Sequence, residues 1–418
     1  MSGTLTPEIR QAVVQDIVRL TKEKYVFPDV GKEVARFVQD KLEQGDYDAI
    51  TDADELAITL SEDLRAMSND RHWRIVYDPQ QATARIDPEG EDEKARLARW
   101  LEHARTINFG FEKVERLAGN VGYIDLRQFA RSEYAGETAV AAMGFVAHCD
   151  ALIFDLRRNR GGYPSMVQLL TSYLFDPEPR HINTFYRRPT DDYQQFWTFP
   201  HVPGKRLPHI PVYVLTSHAT GSGAEEFAYN LKYMARALIV GETTVGAAHP
   251  VMVETVQEHF QVRLPYGRPI NPITKENWEV TGVKPHITVP QEDALKTAHL
   301  YALEQMVMKC KNDRHKRTLK WGMEIVKSQY APITVEETSL SRYVGQYGKR
   351  SFAVENGMLT YRHRDYPVVW KLVPMTETRF RLNDDIKFEF IVDGQEVASS
   401  VAISYRDGRP EITVARTN

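Results

Sequence analysis

Cysteine is almost absent. Cys149 and Cys310 are the only two in 418 residues, too few for a disulfide framework. Each lies in an apolar stretch that reads as helix, so both are expected to be buried free thiols. No apolar run reaches the roughly 18 residues that a membrane-spanning helix needs. A basic excess is missing too: 53 Lys and Arg stand against 57 Asp and Glu, net −4. Nucleic acid and membrane insertion are therefore not expected, and no run of like charge suggests a membrane surface. The first residues, Met1 to Glu8, lack the basic, apolar, small-residue order of a secretory signal. The chain as it stands reads as soluble, with its compartment left open. Metal-ligand spacing of His or Cys and phosphate-binding loops are also missing, so no metal, nucleotide or other cofactor is expected.

What remains is an ordinary globular composition, 42% hydrophobic and 26% charged, long enough for roughly two to four domains. Residues 1–78 read as a helical bundle or cap. Thr6 and Pro7 open a helix to Tyr25, with Ile9, Val13, Ile17 and Leu20 at helical spacing. Val30–Leu42 and Asp52–Met67 repeat the pattern, and Trp73–Tyr77 reads as a strand. Asp87–Asp92 reads as an exposed loop. Residues 79–311 alternate strand and helix. Val121–Leu126, Ala151–Asp155, Val212–Leu215, Ala237–Val240 and Phe260–Leu264 are the strands. Thr138–Cys149, Met166–Leu174, Gly223–Ala235 and Leu295–Lys309 are the helices. Continuous apolar strands separated by helices predict a parallel sheet covered on both faces. Residues 312–337 read as a helical linker. From 338 to 418 short β runs separated by Glu355-Asn-Gly357 and Arg406-Asp-Gly408 predict an antiparallel β accessory module, a small barrel or sandwich.

Ser222 is the most informative residue. It follows a buried strand and precedes a helix, where free N–H groups and the helix dipole favour negative charge. That suits a nucleophile whose reaction passes through an oxyanion. An N-cap serine without chemistry has the same signature. Asp155-Leu-Arg-Arg-Asn-Arg-Gly161-Gly162 also follows a buried strand. Its paired glycines could aim N–H groups at an oxyanion, or could simply make a tight turn.

Taken together, Asp155 to Gly162, Thr216 to Phe227, Ile239 to Gly246 and Asn271 to Pro285 resemble the motifs of the tail-specific, or C-terminal-processing, serine peptidases. The last segment is similar to the branch that contains interphotoreceptor retinoid-binding protein. The likeness runs over residues 8–305. It implies an α/β fold with a crotonase-like ββα superhelix core rather than a Rossmann sheet or a barrel. Many members carry a lysine base 25 residues beyond the serine, but that position is Ala247 here. The branch resembling the tricorn protease core uses serine, histidine and glutamate. By that resemblance Ser222 is the nucleophile, His72 the base and Glu279 the residue that orients it. Gly223, with Gly161 or Gly162, would hold the oxyanion. His249 is the rival base or a substrate-binding residue. Arg71 stands where the tricorn arrangement has a second serine, His286 where Asp is usual, and Gly221 where Phe is common. Only 43 residues separate Tyr77 from Val121, too few for a PDZ domain, so capture of a substrate's C-terminus by strand addition is not expected.

The resemblance implies a serine hydrolase of peptidase type, acting on peptide or protein substrates through an acyl-enzyme. A non-catalytic carrier of small hydrophobic ligands is the rival reading, and an esterase or acyltransferase using the same residues is a third. Whether the chain forms a homo-oligomer is left open.

Overall fold

The computed structural model describes residues 5–79, 93–392 and 397–417. The loop expected at Asp87–Asp92 lies outside them. The chain divides into two compact units. One comprises the residues up to Glu115 with 123–148 and 152–294; the other comprises 116–122, 149–151 and 295–418.

The first unit opens with three helices, α1 (Pro7–Lys24), α2 (Pro28–Gln44) and α3 (Ala53–Ser68). Local chemistry sets their ends. Thr6 Oγ1 accepts the Ile9 N–H and Pro7 takes the first turn. Asp52 caps α3 at the Glu55 N–H. Gly45 ends α2 and Asn69 ends α3, both in left-handed conformation. Val13, Ile17, Leu20, Val34, Leu56, Leu60 and Leu64 form the buried faces, while Ile9, in the first turn, is 41% exposed. These side chains share one apolar core with Trp73, Phe260, Val262 and Leu264. Phe260, Val262 and Leu264 come from a three-stranded sheet of β1 (Arg74–Tyr77), β10 (Phe260–Pro265) and β9 (Val251–Val256), in that order, and Trp73 directly precedes its first strand. β1 and β9 both run antiparallel to β10, so they run parallel to each other on either side of it. The residues that lead into β1 and into β9 therefore arrive at the same end of the sheet.

The α/β core is a six-stranded sheet in the order β12-β8-β7-β4-β3-β2. Its strands are β2 (Phe111–Leu117), β3 (Val121–Leu126), β4 (Ala151–Asp155), β7 (Val212–Thr216), β8 (Leu238–Gly241) and β12 (Ile287–Thr288). β4, β7, β8 and β12 pair in parallel, as the apolar runs predict. β4 and β7 are buried at every residue, which places their carboxyl ends, and the loops after them, at one edge of a closed core. The helix expected at Thr138–Cys149 runs from Ser132 to Phe145 instead. Buried Val146 and Ala147 continue its apolar pattern, yet they belong to the turn into β4. The hairpin β5 (His181–Arg187) and β6 (Asp192–Trp197), with β11 (Gly267–Ile270) on its other side, was not expected. β6 is largely exposed, and its aromatics Tyr193, Phe196 and Trp197 do not alternate with polar residues, so it carries no period of two to read.

In the second unit a helix at Asp313–Tyr330 is capped by Asn312. Beyond it lie two antiparallel sheets, of four and five strands. Their inner faces meet in one core built around Tyr343, Tyr347, Phe352, Tyr361, Phe388 and Phe390. The Glu355-Asn-Gly357 turn takes positive φ at both Asn356 and Gly357, the conformation its sequence calls for in a two-residue hairpin. Cys149 is buried as expected, but Cys310 is only partly so. It lies just past a helix end, where its thiol donates to the Asn312 carbonyl. Among the described residues no helix is long and apolar enough to cross a membrane.

Candidate active site

Ser222 sits between β7 and the helix Gly223–Tyr233, with φ 51° and ψ −122°. Non-glycine residues reach that region only under strain. The surroundings fix it. The Ser222 N–H donates to Glu225 Oε2 at 2.8 Å, and the buried Glu225 carboxylate also accepts the N–H groups of Gly246 and Ala247 and the Thr244 hydroxyl. Burial raises the Glu225 pKa, and these donors oppose the rise. The loop after β4 packs against the serine loop. Asn159 Nδ2 donates to the Leu126 carbonyl, its own carbonyl accepts the Gly221 N–H, and Thr220 Oγ1 donates to the Leu156 carbonyl.

This packing decides which amides are available. Gly161 and Gly162 have φ of +106° and +140°, which side-chain-bearing residues rarely adopt. The Gly161 N–H is taken by Asn159 Oδ1 at 2.8 Å. The N–H groups of Gly162 and Gly223 have no acceptor among the described residues. They are neighbours: a Cβ built on Gly223 would lie 3.1 Å from the Gly162 nitrogen. Two free amides beside a serine at a helix N-terminus are the donor set an oxyanion needs.

The titratable cluster grows from the sheet end described above. His72 lies two residues before β1 and His249 two before β9, so both imidazoles emerge together, with ring centroids 5.9 Å apart. Asp70, turned inward by left-handed Asn69, lies between them. Its Oδ1 is 3.0 Å from His72 Nδ1 and its Oδ2 is 2.7 Å from His249 Nδ1. An ionised carboxylate only accepts, so each Nδ1 carries a proton towards Asp70. Glu279 approaches from the other side. Oε1 is 3.5 Å from His72 Nδ1 and Oε2 is 3.7 Å from His249 Nδ1. Glu279 Oε2 accepts the Ala248 and His249 N–H groups, whereas Oε1 is buried without a hydrogen-bond partner.

Burial alone would lower the His72 pKa, but Asp70 and Glu279 raise it to about 9. Burial would raise the Asp70 pKa, but hydrogen bonds from His249 and His72 hold it well below the usual carboxylate range. Exposure separates the two imidazoles. His249 is 4% exposed, with Phe27 edge-on at 5.4 Å, and His72 is 16% exposed.

The structure thus brings His72, His249 and Glu279 together and adds Asp70. It brings Ser222, Gly162 and Gly223 together in a second group. Residues 244–249 join the two, since the Glu225 carboxylate holds Gly246 and Ala247 and Glu279 holds Ala248 and His249. Ala247, in the lysine position, has its N–H on Glu225 and its carbonyl on Trp278 Nε1. Among the described residues the Ser222 hydroxyl forms no hydrogen bond to either imidazole. Asp70 and Glu225 were missed as functional candidates. Asp-x-His at Asp70–His72 and Ser-x-x-Glu at Ser222–Glu225, a capping-box spacing, were the available signals.

Comparison with known proteins gives the family. Residues 120–289 match peptidase family S41, and residues 5–105 match the N-terminal domain of that peptidase in eukaryotic IRBP. A candidate peptidase from Parabacteroides merdae is 16% identical over 73% of this chain and 98% of its own, with a TM-score of 0.51, a likeness of fold. The photosystem II D1 C-terminal processing protease is 15% identical over 69% of this chain and 94% of its own, TM-score 0.46. The tricorn protease is 14% identical over 73% of this chain and 37% of its own, TM-score 0.48. With two consecutive matches over the helical region and the α/β core, the chain belongs to peptidase family S41 and is a serine-type peptidase.

Proposed function

We propose that the protein cleaves peptide bonds through an acyl-enzyme on Ser222, with His72 as general base and acid. The observation that carries this reading is the pairing of a strained serine at a helix N-terminus with two neighbouring amides, Gly162 and Gly223, that have no acceptor. Ser222 Oγ attacks the scissile carbonyl, and His72 Nε2 takes the hydroxyl proton. The oxyanion forms against the Gly162 and Gly223 N–H groups. Collapse breaks the C–N bond, and His72 returns the proton to the departing amine. Water, activated by the same imidazole, then releases the acyl group. Asp70 accepts the Nδ1 proton, which fixes the tautomer, and Glu279 adds a second carboxylate that stabilises the imidazolium. A raised pKa makes the neutral imidazole a stronger proton acceptor, at the expense of the fraction that is neutral at pH 7. Greater exposure favours His72 over His249, which the Phe27 ring covers. Substrate binding is the step that closes the serine–imidazole contact, since such bonds tighten in the complex.

A fluorophosphonate probe tests the reading. Stoichiometric labelling that disappears in Ser222→Ala and falls steeply in His72→Ala is expected. Labelling unchanged in Ser222→Ala removes the nucleophile. Loss in His249→Ala with full labelling in His72→Ala moves the base.

A further inference from the structure

We propose that Asp70, His72, His249 and Glu279 form a binding site for one divalent transition-metal ion of the zinc class, and that the ion switches the peptidase off. The inhibitory half rests on the function proposed above; the binding half does not.

The donor set is the first argument. Two imidazole nitrogens and two carboxylates suit zinc, whereas magnesium and calcium prefer oxygen alone. Geometry is the second. One donor atom from each residue lies within 4.8 Å of every other. From His72 Nδ1, Asp70 Oδ1 is 3.0 Å and Glu279 Oε1 3.5 Å away; from His249 Nδ1, the other oxygens, Asp70 Oδ2 and Glu279 Oε2, are 2.7 Å and 3.7 Å away. Bonds of about 2.0–2.1 Å to a tetrahedral ion put ligand atoms about 3.3 Å apart. The one-donor-per-residue set, spread over up to 4.8 Å, reaches that spacing by contracting about 1.5 Å at most.

The third argument is Glu279 Oε1. It is buried without a hydrogen-bond partner, an expensive state for a carboxylate oxygen. Its sister oxygen is pinned by the Ala248 and His249 amides, so the side chain cannot simply turn to satisfy it. A cation between the two imidazoles would. The supporting contacts are already in place, as strong sites require. The His72 N–H donates to Asp70 Oδ1 at 3.0 Å, and the Tyr25 hydroxyl donates to Asp70 Oδ2 at 3.4 Å.

The consequence follows from which nitrogen binds. Coordination through Nδ1 displaces the proton now shared with Asp70: a neutral ring takes that proton up at Nε2, and an imidazolium, which already holds one at Nε2, releases the Nδ1 proton to solvent. The metal-bound ring then carries its remaining proton on Nε2. Such a ring donates there and cannot accept the Ser222 proton. No electron changes hands, and chelation reverses the state.

The test uses the full-length Ser222→Ala protein, which cannot turn over substrate. Zinc chloride is titrated in competition with a chromophoric chelator. One zinc per chain is expected, with affinity at least 10-fold weaker in His249→Ala and in Glu279→Gln and no comparable uptake of magnesium. Thermal melts check that each variant is folded; should His249→Ala fail, Glu279→Gln decides. Absence of zinc uptake, or equal affinity when His72 and His249 are both replaced by alanine, overturns the site. For the second half, zinc should suppress fluorophosphonate labelling of the wild-type protein at least 10-fold, and EDTA should restore it. Labelling at an unchanged rate with zinc bound overturns inhibition. A wild-type protein that is never labelled overturns the serine reading, and inhibition with it, while zinc binding by Ser222→Ala stands on its own.

Discussion

A Cβ placed on Gly161 would lie 2.7 Å from the Cβ of Ser222. The same Cβ would lie 2.7 Å from the Gly223 nitrogen, so the glycine is the floor under both the proposed nucleophile and the proposed oxyanion amide. Gly161→Ala should therefore push the serine loop out of register as well as strain a φ of +106°. We expect kcat/KM to fall at least roughly 100-fold and stability by about 2–4 kcal/mol. Peptide hydrolysis and urea unfolding measure the two. Full activity in a stable variant would mean that the loops are not packed as described.

Strain at Ser222 makes a separate prediction. Glycine tolerates φ 51° with ψ −122° and alanine does not. Ser222→Gly should be more stable than Ser222→Ala by about 1–2 kcal/mol, although both lose turnover. Paired denaturant melts decide, and equal midpoints would show that the serine backbone is relaxed.

Asp70 is expected to act through the imidazoles. Asp70→Asn can present an NH₂ to Nδ1 and so select the wrong tautomer. A fall in kcat of roughly 10³–10⁴-fold is expected, with KM little changed. A change confined to KM would assign Asp70 to substrate binding.

Glu226 gives the protein a pH-dependent stability. Its carboxyl is fully buried, with Asn183 Nδ2 at 3.2 Å, and burial pushes its pKa up to about 7 while Asn183 opposes the rise. The unfolded chain gives up this proton near 4.5, the folded one only near 7. The folded state is therefore favoured most below about pH 4.5, and this contribution is lost as pH rises towards 7. The loss amounts to about 3 kcal/mol. Glu226→Gln should flatten this part of the profile and be the more stable protein at pH 8. Parallel curves for the two proteins would show that Glu226 ionises normally.

Elements with a strong internal pattern were legible in the sequence. The three cap helices and the buried strands β4 and β7 advertise themselves through periodicity or continuous apolarity. Ser222 and the glycine pair were legible because turn chemistry at a strand end has few solutions. Asp70 was not, because its position beside His249 comes from β1 and β9 flanking β10, and β1 pairs with a segment more than 180 residues away. The four-donor cluster was hidden for the same reason: its members come from three separate segments, so no spacing announces them. The β5–β6 hairpin was missed because its second strand faces solvent and its aromatics do not alternate.

That long-range pairing has a consequence for the protein's safety during synthesis. Ser222, Gly162 and Gly223 belong to the strand ends of the core, but His72 arrives only when β1 has docked against β10, which the ribosome delivers almost two hundred residues later. A chain in which β1 has not yet docked would hold Ser222 without the imidazole proposed as its proton acceptor. On the proposed mechanism, turnover, self-digestion included, would wait until β1 has paired with β10.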